Sequence, residues 1–267
     1  MYFDEFLALH PVFRRGELEN FLSTRDGSSK KDSISSLLDY HQKQGHILQV
    51  RRGLYSAIPR GATAEKWLVN PFMIGARLAD DAVLAFHTAL AIHGYAHSVT
   101  NRVFVSTCSR SEVFTFQNVD YKKTMVPRAL RRRGLELMGV ETINREGLDM
   151  AVTGLERTVV DCVHRPGLAG GWEELWLSME GIPYLDLDFI VDYVRCLENA
   201  TTASKMGFLL ESQQERWMVE EGYLEQLQQL RPGSAHYIDR DRSSRFSSRW
   251  NLMIPEELWD GFAGHLQ

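Results

Sequence analysis

The sequence has no uninterrupted apolar run of the length, about 18 residues or more, that a membrane-spanning helix needs. It begins with Met-Tyr-Phe-Asp and has no basic region ahead of an apolar stretch, so we expect no secretory signal. Its three cysteines, at positions 108, 162 and 196, lie far apart and form no CxxC pair. These absences favour a reduced, cytoplasmic protein without a disulfide framework or a zinc finger.

The common catalytic and cofactor-binding motifs are missing as well. Neither GxGxxG nor GxxxxGK followed by Ser or Thr occurs, and no serine has the setting of a nucleophile elbow. His93 and His97 are four residues apart, but Gly94 is expected to end the helix between them, so they need not face one metal ion with nearby His87. We therefore predict no catalytic residue, no cofactor and no metal site, and capping or packing roles for these histidines.

The charge is unevenly distributed along the 267 residues. The net charge is −5 overall, but residues 1–60 carry nine Lys and Arg against seven Asp and Glu, a net charge of +2. Residues 30–60 alone carry six cations and two acidic residues, a net charge of +4. A basic stretch on an acidic protein indicates a polyanionic partner, with a solvated surface as the alternative.

The periodicity of apolar residues predicts three helices at the start of the chain. The first covers residues 2–9, with Pro11 after it, and the second covers residues 17–24. The third covers residues 31–44, and Gly45 ends it. Its apolar face consists of Ile34, Leu37, Leu38 and His41. Its other face is small and polar, which suits close approach to a groove, and consists of Ser35, Ser36, Asp39, Tyr40 and Lys43.

The next stretch, HILQVRRGLYSAI at residues 46–58, predicts a β-hairpin whose turn contains Arg51, Arg52 and Gly53. Three helices followed by a hairpin is the order of a winged helix-turn-helix, whose third helix enters the major groove of DNA. The cations that we predict to hold phosphates are Lys30, Lys31, Lys43, Arg51 and Arg52. The residues that we predict to reach base edges are Ser35, Ser36 and Tyr40. A protein-binding winged helix is the alternative.

The remainder of the chain predicts an α+β domain. A break at residues 58–62 separates it, so we predict a winged helix-turn-helix domain at 1–60 and a C-terminal domain at 61–267. Asn70 is expected to cap a helix that begins at Pro71, and a further helix is expected from Asp80 to His93. Strand patterns occupy much of residues 103–152, and helical patterns follow from Leu155 onward, without regular strand–helix alternation.

A second basic stretch lies in the C-terminal part. It carries no acidic residue and contains Lys122, Lys123, Arg128, Arg131, Arg132 and Arg133. It is a candidate for a second nucleic-acid contact, and the alternative is a strand edge whose cations discourage pairing with another chain. Asp120 and Lys122 also have the local form of an Asp-x-Lys nuclease element, which would need further carboxylates, such as Glu112, at the same metal ion.

Several segments resemble the AbiEi family of antitoxins, in an order that extends over residues 11 to about 255. They are HPVF, LLDYHQKQGHILQVRRGLYSAIP, DDAVLAFHTALAIHGYA, GLERTVVDCVHRPGLAGGWEELW and NATTASKMGFLLE. The resemblance implies a two-domain antitoxin of an abortive-infection, type IV toxin–antitoxin system, with no enzymatic activity of its own. It implies an N-terminal winged helix that represses its own operon and a C-terminal domain that counteracts a nucleotidyltransferase-like toxin, which need not form a stable complex with it.

The expected nucleic-acid partner is double-stranded promoter DNA with inverted half-sites, since helix-turn-helix proteins commonly bind as symmetric pairs. Two other functions stay open. One is a metal-dependent nuclease with a DNA-targeting head, centred on Asp120 and Lys122. The other is a transcription regulator with no toxin, whose C-terminal domain senses a ligand.

Overall fold

A computed structural model describes residues 2–26 and 31–263, and contacts between Cα atoms divide the chain into two units. Unit 1 comprises Met1–Leu84, Asn101–Met125 and Glu141–Val152, and unit 2 comprises Ala85–Thr100, Val126–Val140 and Thr153–Gln267. The predicted boundary between residues 60 and 61 lies inside unit 1, and a division into domains at that point stays a prediction. None of the helices in the described ranges has the length and apolar character needed to cross a bilayer.

Unit 1 begins with three helices and three strands. They are α1 (Tyr2–Leu9), β1 (Val12–Arg14), α2 (Arg15–Asp26), α3 (Lys31–Lys43), β2 (Ile47–Arg51) and β3 (Leu54–Ala57). The strands form an antiparallel sheet in the order β1-β3-β2. The three predicted helices and the predicted hairpin are confirmed as elements. Strand β1 was not predicted, because three residues are too short to establish an alternating pattern.

Aromatic and aliphatic side chains from all three helices and the sheet form the core of this first part. Phe6 and Phe13 are fully buried and meet edge to face, with ring centroids 5.0 Å apart. The buried members of the cluster are Phe3, Phe6, Phe13, Leu18, Ile34, Leu38, Ile47 and Tyr55. The apolar face predicted for α3 therefore lies against this core, which leaves the polar face of the helix outside.

The rest of unit 1 is a six-stranded mixed sheet with one short helix, α4 (Pro71–Ala76), whose first turn is capped by the Asn70 side chain. The strands are β4 (Val83–Leu84), β5 (Arg102–Thr107), β6 (Glu112–Phe116), β7 (Val119–Met125), β8 (Val140–Arg145) and β9 (Leu148–Thr153). They are ordered β6-β7-β5-β4-β9-β8, so β6 lies at one edge. Their end residues Val140 and Thr153 fall within the bounds of unit 2.

The prediction of one helix from Asp80 to His93 is wrong over Val83 and Leu84, which form β4. This strand pairs antiparallel with β5 and parallel with β9, and both of its residues are buried. A two-residue strand in the middle of a sheet has no alternation of apolar and polar residues, because it is covered on both faces. Tertiary pairing therefore overrides the local helical pattern at this point.

Unit 2 is mainly helical. Its helices are α5 (His87–Ile92), α6 (Arg128–Arg133), α7 (Leu155–His164), α8 (Trp172–Glu180), α9 (Leu187–Leu197), α10 (Ala200–Ser212), α11 (Glu221–Gln229) and α12 (Glu256–Ala263). A small sheet, ordered β10-β12-β11, consists of β10 (His236–Tyr237), β11 (Ser244–Ser247) and β12 (Leu252–Pro255). Mixed strands in unit 1 and a helical array in unit 2 confirm the predicted α+β class.

Candidate nucleic-acid interface

Helix α3 presents its polar face away from the unit 1 core. Ser36, Tyr40 and Lys43 are exposed at positions i, i+4 and i+7, which lie on one side of a helix, and Tyr40 is 56% exposed. Ser35 is half-buried at the margin of this face. Lys30 and the side chain of Lys31 lie outside the part of the chain that the structure describes. Of the predicted base-reading residues, Ser36 and Tyr40 thus face outward together.

Two histidines join the end of α3 to the start of β2. The Nδ1 atoms of His41 and His46 lie 2.9 Å apart, and the His41 ring stacks on Phe3 with ring centroids 3.9 Å apart. Burial lowers the pKa of His41, and the neighbouring His46 lowers it further. The hydrogen bond between these two nitrogens ties the end of α3 to the start of the hairpin.

The two arginines at the hairpin turn have different surroundings. Gly53 has a φ of 79°, which favours glycine, and it closes the turn beside Arg52. Arg52 is exposed, and no acidic side chain within the described ranges pairs with it. Arg51 instead points back toward the six-stranded sheet of unit 1. Arg52 is thus available to an external phosphate, whereas Arg51 already has partners.

Arg51 has three partners, all in unit 1. One of its terminal nitrogens donates to Glu112 Oε2 at 3.0 Å, and the other donates to the carbonyl oxygen of Leu78 at 2.9 Å. Its guanidinium carbon lies 5.1 Å from the centroid of the Phe114 ring. Lys123 Nζ also lies 2.9 Å from Glu112 Oε2, so two cations share one carboxylate oxygen. Hydrogen bonds from Lys123 and then Arg51 lower the pKa of Glu112.

Lys122, the neighbour of Lys123 on β7, points to the opposite face of the sheet and is exposed. The same alternation separates the carboxylates of the nuclease hypothesis. In the register of β6 and β7, Glu112 lies opposite Lys123 and Thr115 lies opposite Asp120. Thr115 comes three positions after Glu112 on β6, so the Thr115–Asp120 pair points to the other face of the sheet. Asp120 accepts a hydrogen bond from the Thr115 hydroxyl at 2.7 Å. The strand register thus keeps Glu112 and Asp120 from converging on one ion.

The arginines of the second basic stretch lie on α6, in unit 2, whereas Lys122 and Lys123 belong to unit 1. Arg131 donates to the Val126 carbonyl oxygen at 3.1 Å, and Arg132 pairs with Glu198 at 2.5 Å. The side chains of Arg128 and Arg133 are exposed. The six cations of this one sequence stretch therefore belong to two different units.

The histidines considered as metal ligands contact different partners in unit 2. His87 is 3% exposed and its Nε2 lies 3.2 Å from Glu174 Oε1. His93 Nε2 donates to the Thr153 carbonyl oxygen at 2.8 Å, and the backbone nitrogen of His97 donates to the Ser178 hydroxyl at 3.1 Å. The side chains of His87 and His93 thus form local hydrogen-bonding contacts, whereas the side chain of His97 is exposed. Within the described residues, no group of three or more His, Cys, Asp and Glu side chains is arranged to hold a metal ion.

Glu112 is the residue at this surface whose role the sequence does not indicate, since the Asp-x-Lys element suggests it only as a possible metal ligand. The turn residues Gln117 and Asn118 both have positive φ, so β6 and β7 form a tight hairpin. Counting outward from that turn places Glu112 opposite Lys123. That local signal identifies the Glu112–Lys123 pair, but it does not identify Arg51, which lies 61 residues away in sequence.

Comparison with solved structures finds proteins of similar fold. One is the crystal structure of the RV2827C protein from Mycobacterium tuberculosis, with a TM-score of 0.57 and 18% sequence identity. The match covers 95% of this chain and 90% of that chain. No protein-family profile matches the sequence, and no curated protein matches it. At this level of identity the likeness concerns the fold alone, and it extends over nearly the whole of both chains.

Proposed function

We propose that this protein binds duplex DNA at its own promoter through the first part of unit 1. We further propose that it is the autorepressing antitoxin of a type IV toxin–antitoxin pair, present in the cytoplasm and without enzymatic activity. The observation that carries the DNA-binding proposal is the order α1-β1-α2-α3-β2-β3 with the sheet β1-β3-β2 and an outward polar face on α3. That order is typical of winged helix-turn-helix domains.

In this arrangement α3 enters the major groove and the β2–β3 hairpin follows the backbone. The short side chain of Ser36 and the rigid side chain of Tyr40 can approach base edges. The longer side chains of Lys43 and Arg52 reach phosphates on either side of α3. Asp39 is also exposed on this side of α3, and a carboxylate there is compatible with DNA because it accepts a hydrogen bond from the cytosine amino group. A binding site of inverted repeats remains part of the proposal.

Salt dependence tests the DNA-binding proposal. If about five cations contact phosphates, the logarithm of the association constant should fall with the logarithm of the salt concentration at a slope of roughly −4 to −5. Arg52→Ala should flatten this slope by about one unit, because it removes one phosphate contact. The measurement is fluorescence anisotropy of the full-length protein with a labelled duplex from the region upstream of its gene, between 50 and 300 mM NaCl.

Two further variants serve as a negative control and as a test of the second basic stretch. Arg216→Ala removes an exposed cation of unit 2 far along the chain, and its slope should equal that of the unchanged protein. Arg128→Ala/Arg133→Ala tests the second candidate contact on α6, which predicts flattening by about two units. An Arg52→Ala slope equal to that of the unchanged protein would exclude the hairpin from the interface. Absence of binding at 50 mM NaCl would exclude the DNA-binding proposal itself.

The antitoxin proposal is supported by the resemblance of the sequence segments to the AbiEi family, and it is tested separately. We expect co-expression of the full-length protein to restore growth to cells that express a nucleotidyltransferase-like protein encoded beside its gene. If the protein represses its promoter but the cells stay arrested, the result would favour the alternative of a transcription regulator that has no toxin. The nuclease alternative predicts magnesium-dependent cleavage of duplex DNA that Asp120→Ala abolishes, and the antitoxin proposal predicts none.

A further inference from the structure

One carboxylate in unit 1 lies between two cations from separate parts of the sequence. Arg51 at the end of β2 and Lys123 on β7 both contact Glu112 Oε2, at 3.0 and 2.9 Å. The two cationic nitrogens are therefore held around a single oxygen position. A phosphate oxygen can be bound in the same way, by one guanidinium N–H and an ammonium group that converge on it.

The side chain of Arg51 has contacts that do not involve Glu112, and the side chain of Lys123 is largely buried in the sheet. Arg51 is also held by the Leu78 carbonyl oxygen at 2.9 Å and by the face of the Phe114 ring. Lys123 lies on β7, which is paired on both sides, and its side chain is 11% exposed. Removal of the carboxylate would thus leave the cations close to their present positions, as a pre-formed anion site.

Glu112 is the most exposed of the three side chains. It lies at the first position of edge strand β6, and its side chain is 46% exposed, compared with 27% for Arg51. An ion pair whose carboxylate is this exposed contributes little to stability. The carboxylate can therefore rotate into solvent at small cost, and an incoming anion of higher charge density can take its place.

We propose that Arg51 and Lys123 form a binding site for a backbone phosphate of duplex DNA, which Glu112 occupies in the free protein and leaves when DNA binds. This inference rests on the proposed DNA-binding function and adds to it. It extends the DNA contact from the hairpin turn, where Arg52 lies, to the edge of the six-stranded sheet. It also makes Glu112 an internal competitor that weakens DNA binding.

Glu112→Gln tests the competition, because glutamine keeps the size of the side chain and removes its charge. We expect the full-length variant to bind the upstream duplex about two- to fivefold more tightly at 100 mM NaCl, since no ion pair has to be broken. The salt slope should become steeper by about one unit, because the released carboxylate no longer offsets a phosphate contact. Lys123→Ala in the same background should remove the gain.

Asp149→Asn is the matched control. It also removes one exposed carboxylate from the six-stranded sheet, on β9. Three strands separate β9 from β6 in the sheet, a distance of roughly 19 Å. This exceeds the Debye length of about 10 Å at 0.1 M salt, so we expect less than a twofold change.

The outcomes separate this inference from the proposed function. If the unchanged protein binds the duplex but Glu112→Gln binds equally or more weakly, Glu112 is a structural partner only and the inference is wrong. If the unchanged protein binds no duplex at 50 mM NaCl, the DNA-binding proposal fails first. Should Glu112→Gln prove unfolded by circular dichroism, Lys123→Ala in the otherwise unchanged chain decides, since the phosphate site predicts a slope flatter by about one unit and a structural role predicts no change.

Discussion

Replacement of Arg157 by leucine is expected to lower the free energy of unfolding by about 3–5 kcal/mol. Arg157 lies on α7 in the core of unit 2 and is 1% exposed. Its guanidinium donates to the carbonyl oxygens of Glu136 and Met138 at 2.7 and 2.6 Å, and pairs with Asp161 at 3.3 Å. Leucine would leave a buried carboxylate and the carbonyl groups of two half-buried residues without these donors.

The loss is large because the remaining partner cannot compensate for it. Asp161 is 4% exposed and keeps one hydrogen bond, from the Tyr193 hydroxyl at 2.8 Å. Burial, and then the Asp161 charge, raise the pKa of Tyr193, so this hydroxyl stays protonated and donates. One neutral donor does not balance a buried carboxylate, whose desolvation costs several kcal/mol. Breaking such a pair by removing one member therefore costs more than the pair itself contributes.

Urea unfolding followed by circular dichroism measures this effect. The control is Arg195→Leu on α9, which removes an exposed arginine paired with Asp192 at 3.0 Å and should change stability by less than about 0.5 kcal/mol. Arg157→Lys should have an intermediate effect, because an ammonium group keeps the charge but not the planar fork. A loss below about 1 kcal/mol for Arg157→Leu would contradict the network.

Replacement of Trp250 by alanine is expected to cost about 3–5 kcal/mol, the usual range for loss of a buried large aromatic side chain. Trp250 is fully buried in unit 2, just before β12. Its indole nitrogen donates to Glu211 Oε2 at 2.6 Å. Its ring lies against the backbone of α10, where a Cβ atom on Gly207 would be 2.0 Å from Trp250 Cζ3. Alanine would leave a cavity along that helix and remove a donor from Glu211.

The contact with Gly207 supplies a test of this explanation. Gly207→Ala in the unchanged chain should destabilise by about 1–3 kcal/mol, since the new methyl group collides with a ring that cannot move freely. The same change in the Trp250→Ala background should cost little, so the two effects should not add. Phe246→Ala on β11, where the ring is 51% exposed, is the control and should cost under 1 kcal/mol. Additive effects would mean that the two positions do not touch.

Much of the first part of unit 1 was predictable because its signals are local. The apolar spacing of Ile34 and Leu38 predicted which face of α3 is buried, and Gly45 and Gly53 predicted where the helix ends and the hairpin turns. Each of these signals depends on the conformational preference of a few consecutive residues. The outward position of Tyr40 followed from the same spacing, and the structure has it exposed.

Elements that depend on distant pairing were not predictable in this way. The helical pattern across Val83 and Leu84 gave way to a strand, because β5 and β9 supply pairing partners on both sides. The basic stretch at residues 122–133 is continuous in sequence, yet its lysines and arginines belong to different units. In both cases the deciding contacts join residues far apart in the chain, which local propensity does not register.

The charged residues at the hairpin turn likewise have some features that the local sequence determines and others that only the tertiary structure determines. The sequence alone predicted that Arg51 and Arg52 lie side by side at a turn, and it indicated a polyanionic partner. Only the tertiary structure shows that Arg52 is exposed to solvent and that Arg51 pairs with Glu112. The physical reason is that backbone preference acts within a few residues, whereas the neutralisation of a charge depends on whichever groups the packed fold brings within about 4 Å.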